Sequence, residues 1–331
     1  MPAAKVTNLM RKMAGSLFPE QVTEQGAFLD ALSRPGDNLT AIAWTVPPRY
    51  GELPAVDRSD LPEWLPGFIE VLEPGFRPGK TDAFARGDIY PLDLSSVVTG
   101  SALIPLRDAA NASTRVLDLC AAPGGKSILA SLLLHPELLL ANEVEGKRLG
   151  PLRHNLGRCH IPNAFTQRLR PEEIAELAPE SFSLCLVDAP CSGQSLLAKG
   201  QENPGCFHPA TIKGNTKRQV GILRQALKTV APGGFLFYST CTFSLRENEG
   251  AIGKVLRDQP AFEAREVPHL ESLRSPHADF PCYRVYPHRG PGAGGFVCLL
   301  QRLGTPAPVP DLPREFLAYP VSADSKTADD P

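Results

Sequence analysis

The sequence lacks most of what would tie it to a metal, a membrane or a disulfide framework. None of its eight cysteines falls in a Cys-x-x-Cys pair, so neither a zinc ribbon nor any other metal site is expected. At 331 residues the chain can bury a full core and needs no disulfide staples. The longest apolar stretch, Ile128 to Ala141, is broken by His135-Pro136 and is too short to span a bilayer. Met1 to Gly15 carries Lys5, Arg11 and Lys12 but no apolar core of a secretion signal. Free thiols in a cytoplasmic, membrane-independent protein are therefore expected. Positive charge is not in excess either: 34 Lys and Arg face 36 Asp and Glu, a net charge of −2. That excludes a binder relying on bulk positive charge, but not an enzyme with a local basic face. Two nucleotide signatures are also missing. A phosphate loop would need glycine where Cys120 stands, and no Gly-x-Gly-x-x-Gly occurs.

What is present centres on Arg115 to Ser127. Val116, Leu117 and Leu119 suit a buried parallel strand, and Ile128 to Leu134 offer an apolar helix. Pro123 and the pair Gly124-Gly125 make a tight turn between them. Small residues let a ligand approach the backbone there, and the helix start supplies unpaired N–H groups and a positive dipole end. A strand, a small-residue turn and a helix are how a doubly wound sheet holds a nucleotide-like cofactor at its carboxyl edge. Leu138 to Ala141 reads as the next strand, ending at Asn142-Glu143. Glu143 can accept from ribose hydroxyls; on local spacing alone it equally fits a solvated strand-end acid.

Strand and helix then alternate. Strands are expected at 115–119, 137–143, 163–167, 182–188 and 234–240, with helices near 126–135, 146–157, 171–178, 211–230 and 246–257. Such alternation predicts an α/β fold with a mostly parallel, doubly wound sheet, completed by strands near 262–267 and 296–302. In front, Leu17 to Leu32 has the spacing of an amphipathic helix with Val22, Phe28, Leu29 and Leu32 on one face, and Leu39 to Val46 reads as a strand. Residues 47 to 80 are rich in Pro and Gly and read as irregular. The expected organisation is a small N-terminal α+β cap over 1–85, the main domain over 86–303, and a Pro-rich, flexible tail over 304–331 in which Phe316, Leu317 and Tyr319 are the residues able to dock.

Three motifs in order carry a resemblance. Asp118-Leu-Cys-Ala-Ala-Pro-Gly-Gly-Lys126, Asp188-Ala-Pro-Cys-Ser-Gly193 and Tyr238-Ser-Thr-Cys-Thr242 resemble those of the RNA cytosine-C5 methyltransferases of the Nop2/Sun/RsmB type. Glu247-Asn248-Glu249 matches the same pattern after Thr-Cys-Thr, and by itself reads as a helix N-terminus with favourable acids. The resemblance implies a Rossmann-like class I methyltransferase fold, S-adenosyl-L-methionine as cofactor and an RNA substrate, with rRNA favoured over tRNA; a monomer is expected. It implies cofactor contacts from Cys120, Ala121, Ala122, Pro123, Gly124, Gly125, Lys126, Glu143 and Asp188. The front half departs from the family: Ile42-Ala43-Trp44 stands where Arg-Val-Asn is usual, and Tyr90 to Ser96 lacks the usual Gln. The acid expected after the third strand has no counterpart in Thr166 to Leu169.

Cytosine C5 is a poor nucleophile until a thiolate adds to C6. The chemistry needs a cysteine, an acid near N3 or the 4-amino group, and a base for the C5 proton. Cys191 and Cys241 both follow predicted parallel strands and so fall at the crevice beyond their carboxyl ends. DNA cytosine methyltransferases attack with the Pro-Cys cysteine, which would choose Cys191. The family resembled here attacks with the Thr-Cys cysteine, which chooses Cys241 and leaves Cys191 to resolve the adduct. Asp188 is expected to orient the base or the cofactor. The alternatives are a catalytically idle RNA-binding or ribosome-assembly factor, or a DNA methyltransferase using Cys191. The loop from Ser192 to Pro209 is long enough to cover a base, with Cys206 and His208 read as structural. Lys213, Lys217, Arg218 and Arg224 crowd the next helix, as a solvated face or as phosphate contacts.

Overall fold

The structure, a computed structural model, describes residues 5–34, 39–107, 114–290, 292–306 and 309–321. Its centre is a twisted sheet built by strict alternation from Arg115 onward. The strands β4 (Arg115–Asp118), β5 (Leu138–Asn142), β6 (Ala164–Gln167), β7 (Phe182–Asp188) and β8 (Val230–Thr240) are parallel, and they follow the front strands β1 (Thr40–Trp44), β2 (Ile69–Val71) and β3 (Ile89–Asp93). Three further strands, β9 (Phe262–Ala264), β10 (Tyr283–Val285) and β11 (Gly295–Arg302), are added antiparallel beside β8. The main path runs β10-β11-β8-β7-β4-β5-β6, with β9 also on β11.

Alternation of side chains across the pleat makes this a two-sided core. Val116, Leu139 and Leu184 point to one face, where α4 (Leu94–Gly100), α5 (Gly125–Leu134) and α6 (Gly146–Arg158) pack, after α1 (Asn8–Leu17), α2 (Val22–Ser33) and α3 (Asp82–Arg86) in the front segment. Leu117, Leu140 and Cys185 point to the other, under α7 (Pro171–Leu177), α8 (Pro209–Thr229) and α9 (Glu249–Asp258). Helices on both faces are what a parallel sheet with near-continuous apolar strands requires. The expected fold class and the order of its main elements are as observed, with the strand near 262–267 shortened to three residues and β10 unforeseen.

The front segment differs more. A first helix, α1, buries Met10, Ala14 and Leu17 at helical spacing and is capped by Thr7, whose hydroxyl accepts from the Met10 N–H. The helix expected over 17–32 starts only at Val22, because Pro19 and a left-handed Glu20 (φ 63°) separate it from α1. Val22 is exposed, so only the later part of the predicted face is buried. Within the irregular 47–80 stretch lies β2, too short to announce itself by periodicity. It pairs with β1, and its Glu70 is buried because Trp44 Nε1 donates to it at 2.5 Å. The boundary expected at 85/86 does not separate two cores. β3 lies beyond it yet pairs with β1, and Ala41, Val71 and Tyr90 share one apolar cluster with Val116 and Leu139.

The tail was expected to be flexible. Its described residues 309–321 instead lie along the sheet: Thr166 and Val321 donate their N–H groups to Tyr319 and Ala164 carbonyls, and Phe316 is fully buried. One buried Phe contributes about 1.5–3 kcal/mol, and the segment's backbone also pairs with the open edge of β6. Leu317 and Tyr319 stay exposed. Residues 307–308 and 322–331 of the expected tail lie outside the described residues.

Candidate active site

The strand order lines the motifs up. β8, β7, β4 and β5 are consecutive neighbours, so Cys241, Cys191, the glycine turn and Glu143 follow one another along the sheet's carboxyl edge. Asp188 pairs in register with Ser239, so the two cysteine loops leave adjacent strands at the same height.

The two thiols are in contact. Cys191 Sγ and Cys241 Sγ lie 3.2 Å apart and are not bonded as a disulfide. Cys241 is exposed and Cys191 half-buried. A hydrogen bond from Cys191 holds the Cys241 thiol below its ordinary range. The Lys199 charge and the Ser195 hydroxyl add to this, against burial and the Asp188 charge. The same contact, together with burial, pushes Cys191 well up. The two sulfurs are thus unequal, Cys241 the more acidic and Cys191 the less, an asymmetry that suits a nucleophile beside a thiol. Lys199 stands in a 3-10 turn, Gln194–Lys199, and its Nζ is 3.4 Å from Asp93 Oδ2.

Asp188 offers a carboxylate fixed on both sides. Ser239 Oγ donates to its Oδ1 at 2.5 Å, and Lys126 Nζ is 3.8 Å from its Oδ2. The Lys126 side chain is only 9% exposed and that of Asp188 41%, so the lysine buttresses a carboxylate that still opens to solvent. A carboxylate so placed can accept from ring or amino N–H groups of a base lying against the thiols.

In the glycine turn Gly124 has φ 115°, a conformation L side chains rarely adopt, and it starts α5. Beneath the turn, the buried Asp118 accepts from the Cys120 N–H at 3.3 Å and from Ser127 Oγ at 2.6 Å, and burial pushes its carboxyl up to about 7. Ala121 and Ala122 are buried and Pro123 is exposed. Arg148 donates to the Ala122 carbonyl, and Asn155 Nδ2 to that of Pro123 at 2.8 Å, which ties the turn to α6. Burial drives the Cys120 thiol well up, so it is no nucleophile. Glu143 is 2% exposed. Its Oε1 accepts from the Glu145 N–H at 3.0 Å, while Oε2 has Arg148 Nη1 at 3.2 Å but no hydrogen bond. A buried carboxylate oxygen in that state has room for a donor such as a ribose hydroxyl. At the third strand's end Gln167 Nε2 donates to the Glu315 carbonyl at 2.7 Å, so no acid stands there.

The sequence reading missed the residues that hold the cysteine loops. Gln194 Oε1 accepts from the Phe243 N–H at 2.9 Å, and the Ser195 N–H donates to the Cys241 carbonyl at 3.1 Å. Phe243 is in turn backed by α1 and α2 through Phe28, so those helices support the Thr-Cys loop from behind. The Gly-rich stretch before β11 serves the same contact: a Cβ on Gly294 (φ 106°) would sit 2.6 Å from the Phe243 ring. Glu247, Asn248 and Glu249 are all buried; as expected they open a helix, Asn248 at the cap position and Glu249 in the first turn of α9. Cys206 is buried, and His208 Nδ1 accepts from the Ala210 N–H, both structural positions. Lys213, Lys217 and Arg218 are exposed on α8, whereas Arg224 is paired with Asp258 at 2.5 Å. Among the described residues no cluster could hold a metal ion, and no helix is long and apolar enough to cross a membrane.

Residues 106–301 match the family described as 16S rRNA methyltransferase RsmB/F. The ribosomal RNA small subunit methyltransferase F of Erwinia tasmaniensis is 30% identical over 238 residues, covering 70% of this chain and 48% of that protein. The protein of the same name from Cronobacter sakazakii is 31% identical over 250 residues, 74% of this chain and 51% of that one. The chain thus spans about half the length of the curated relatives it matches. Among solved structures, NSun6 of Pyrococcus horikoshii with SFG superposes with a TM-score of 0.66 at 19% identity, over 90% of this chain and 99% of that one. A methyltransferase homolog protein from Pyrococcus horikoshii gives 0.65 at 23% identity, over 90% and 100%. At these identities the likeness concerns the fold, which is that of a Rossmann-like methyltransferase.

Proposed function

The chain belongs to the RsmB/F family of 16S rRNA methyltransferases, and from that premise we propose that it methylates cytosine C5 in ribosomal RNA with S-adenosyl-L-methionine. The observation that carries this reading is the 3.2 Å contact of two unequal thiols on the edge that also bears the glycine turn. The cofactor fits the residues present: the turn Cys120 to Lys126 offers helix N–H groups, and Glu143 keeps a buried oxygen without a hydrogen bond. S-adenosyl-L-methionine supplies the methyl group when bound.

The protein's own part is to make C5 nucleophilic. Cys241, its thiol made more acidic by the Cys191 hydrogen bond, adds to C6 as thiolate and pushes electron density to C5. Asp188, braced by Ser239 and Lys126, accepts from the base's 4-amino group and fixes its plane. After transfer a water molecule takes the C5 proton, the C5–C6 double bond re-forms and the C6–S bond breaks, returning Cys241 as thiolate. The Cys191 thiol beside it stabilises the departing sulfur, which is its role in resolving the adduct. A cytosine buried in an RNA fold must leave its stack to reach Cys241, and the exposed Lys213, Lys217 and Arg218 beside the site suit flanking phosphates.

The test is incorporation of labelled methyl from the cofactor into ribosomal RNA, followed by mapping of 5-methylcytosine. The wild-type protein is expected to label one or a few cytosines. Cys241→Ala is expected to lose at least about a thousandfold in rate while binding the cofactor as before. Full activity in that variant, or Cys191-dependent transfer to DNA, would overturn the reading.

A further inference from the structure

Neither cysteine is placed by its own loop alone. Each is gripped on both flanks, and the grips converge on two consecutive buried residues. Around Cys191, the Glu247 carboxylate accepts from the Ser192 N–H at 2.9 Å and from Ser192 Oγ at 2.6 Å. Gln219 Nε2 donates to the same carboxylate at 3.0 Å and to the Pro190 carbonyl at 2.9 Å. Around Cys241, Asn248 Oδ1 accepts from Thr240 Oγ1 at 2.6 Å, and Asn248 Nδ2 donates to the Thr242 carbonyl at 2.9 Å. The two grips are cross-linked: Ser192 Oγ and Thr242 Oγ1 are 2.7 Å apart. The Thr242 hydroxyl also bonds the Glu247 carboxyl, so the acid reaches both cysteine loops.

We infer that Glu247 and Asn248 are positioning residues that set the spacing of the two thiols, Glu247 through the Pro-Cys loop and Asn248 through the Thr-Cys loop. Neither touches the reacting atoms. Both are 0% exposed, and Tyr238 OH donates to the Glu247 carbonyl at 2.6 Å, so the pair is anchored to β8 itself. Peptide planarity holds neighbouring residues at a fixed separation, so two loops hung from neighbours keep a fixed offset. Glu247 is a buried acid whose carboxyl is pushed up by burial, against the bonds from Ser192 and Gln219. Replacing it by the amide puts an NH2 group among the donors of Ser192 and Gln219, which leaves at least one of them unmatched.

The inference rests on the proposed chemistry only for its catalytic readout, so its test is run first without RNA or cofactor. Diamide takes up two hydrogens as two thiols join, and the rate of Cys191–Cys241 disulfide formation reports how well the sulfurs are held together. Glu247→Gln and Asn248→Ala are each expected to slow that rate about tenfold, with cofactor affinity near wild type. Arg246→Ala, an exposed neighbour, is the control for a merely local disturbance and should pair at the wild-type rate. Should Glu247→Gln unfold, Ser192→Ala removes the hydroxyl that links Glu247 to Thr242 and gives the same readout. Pairing at the wild-type rate in the folded variants would overturn the inference. With RNA present, Glu247→Gln is expected to accumulate the covalent complex as loss of Cys191 would, whereas Asn248→Ala slows its formation. Absence of methylation in the wild type would sink the functional reading and leave the pairing result standing.

Discussion

Each end of the sheet's carboxyl edge rests on one buried carboxyl group raised by desolvation, yet the two are wired differently. Asp118, under the glycine turn, bonds residues two and nine places along the chain. Glu247, under the cysteine loops, bonds Ser192 and Gln219, 55 and 28 places away. The cofactor end is therefore a local motif, made by a strand, a turn and the first turn of a helix. The cysteine end exists only after β7, α8 and β8 have come together. The ligand-binding turn can therefore be set by short-range geometry, whereas the 3.2 Å contact of the thiols needs β7 and β8 paired.

Two substitutions at the local end sharpen this contrast. Glu143→Gln removes a buried charge poised for a hydroxyl donor and should weaken cofactor binding about ten- to a hundredfold. At saturating cofactor the rate should recover, since the cysteine loops are untouched. Titration calorimetry followed by rates at high cofactor checks both halves, and unchanged affinity would remove Glu143 from the cofactor site. The smaller effect is in stability. Folded Asp118 gives up its proton near pH 7, while an unfolded Asp does so near about pH 3.9. The folded state therefore holds the proton more tightly across that window. The stability this provides is full below about pH 4 and is lost as pH rises towards 7. Asp118→Asn should flatten that part of the pH dependence in thermal melts from pH 4 to 8. A slope as steep as wild type would assign the titration elsewhere.

The same contrast explains how much could be read from the chain. Asp118 to Lys126 announces its turn through residues that are neighbours in sequence, and the apolar runs at Leu138 to Ala141 and Phe182 to Val187 announce a buried parallel sheet. Cys191 and Cys241 were placed at strand ends by the same periodicity. That they touch depends on β7 lying next to β8, which local pattern does not encode. Gln219 was invisible: one amide on an amphipathic helix looks like any polar position, and only its burial against Pro190 and Glu247 gives it a role. Glu247 and Asn248 do stand at a helix start, but their grip on the two cysteine loops depends on long-range neighbours that local composition does not encode. In the front segment, α1 and β2 escaped because a capped ten-residue helix and a three-residue strand offer too few periods to count. Phe316 was noted as able to dock, but a Pro-rich, polar neighbourhood argued for a free tail until the open edge of β6 gave it a partner.

Which sulfur bonds the base can be read in one measurement. Cys191→Ala is incubated with cofactor and ribosomal RNA, the complex surviving denaturation is digested with trypsin and nuclease, and the modified peptide is identified by mass spectrometry. A nucleotide remnant on the peptide running from Thr229 to Arg246, which holds Cys241 as its one cysteine, is the predicted result. A remnant on any other peptide, or no complex while methylation proceeds, would contradict the assignment of Cys241 as attacker and Cys191 as the thiol that releases it.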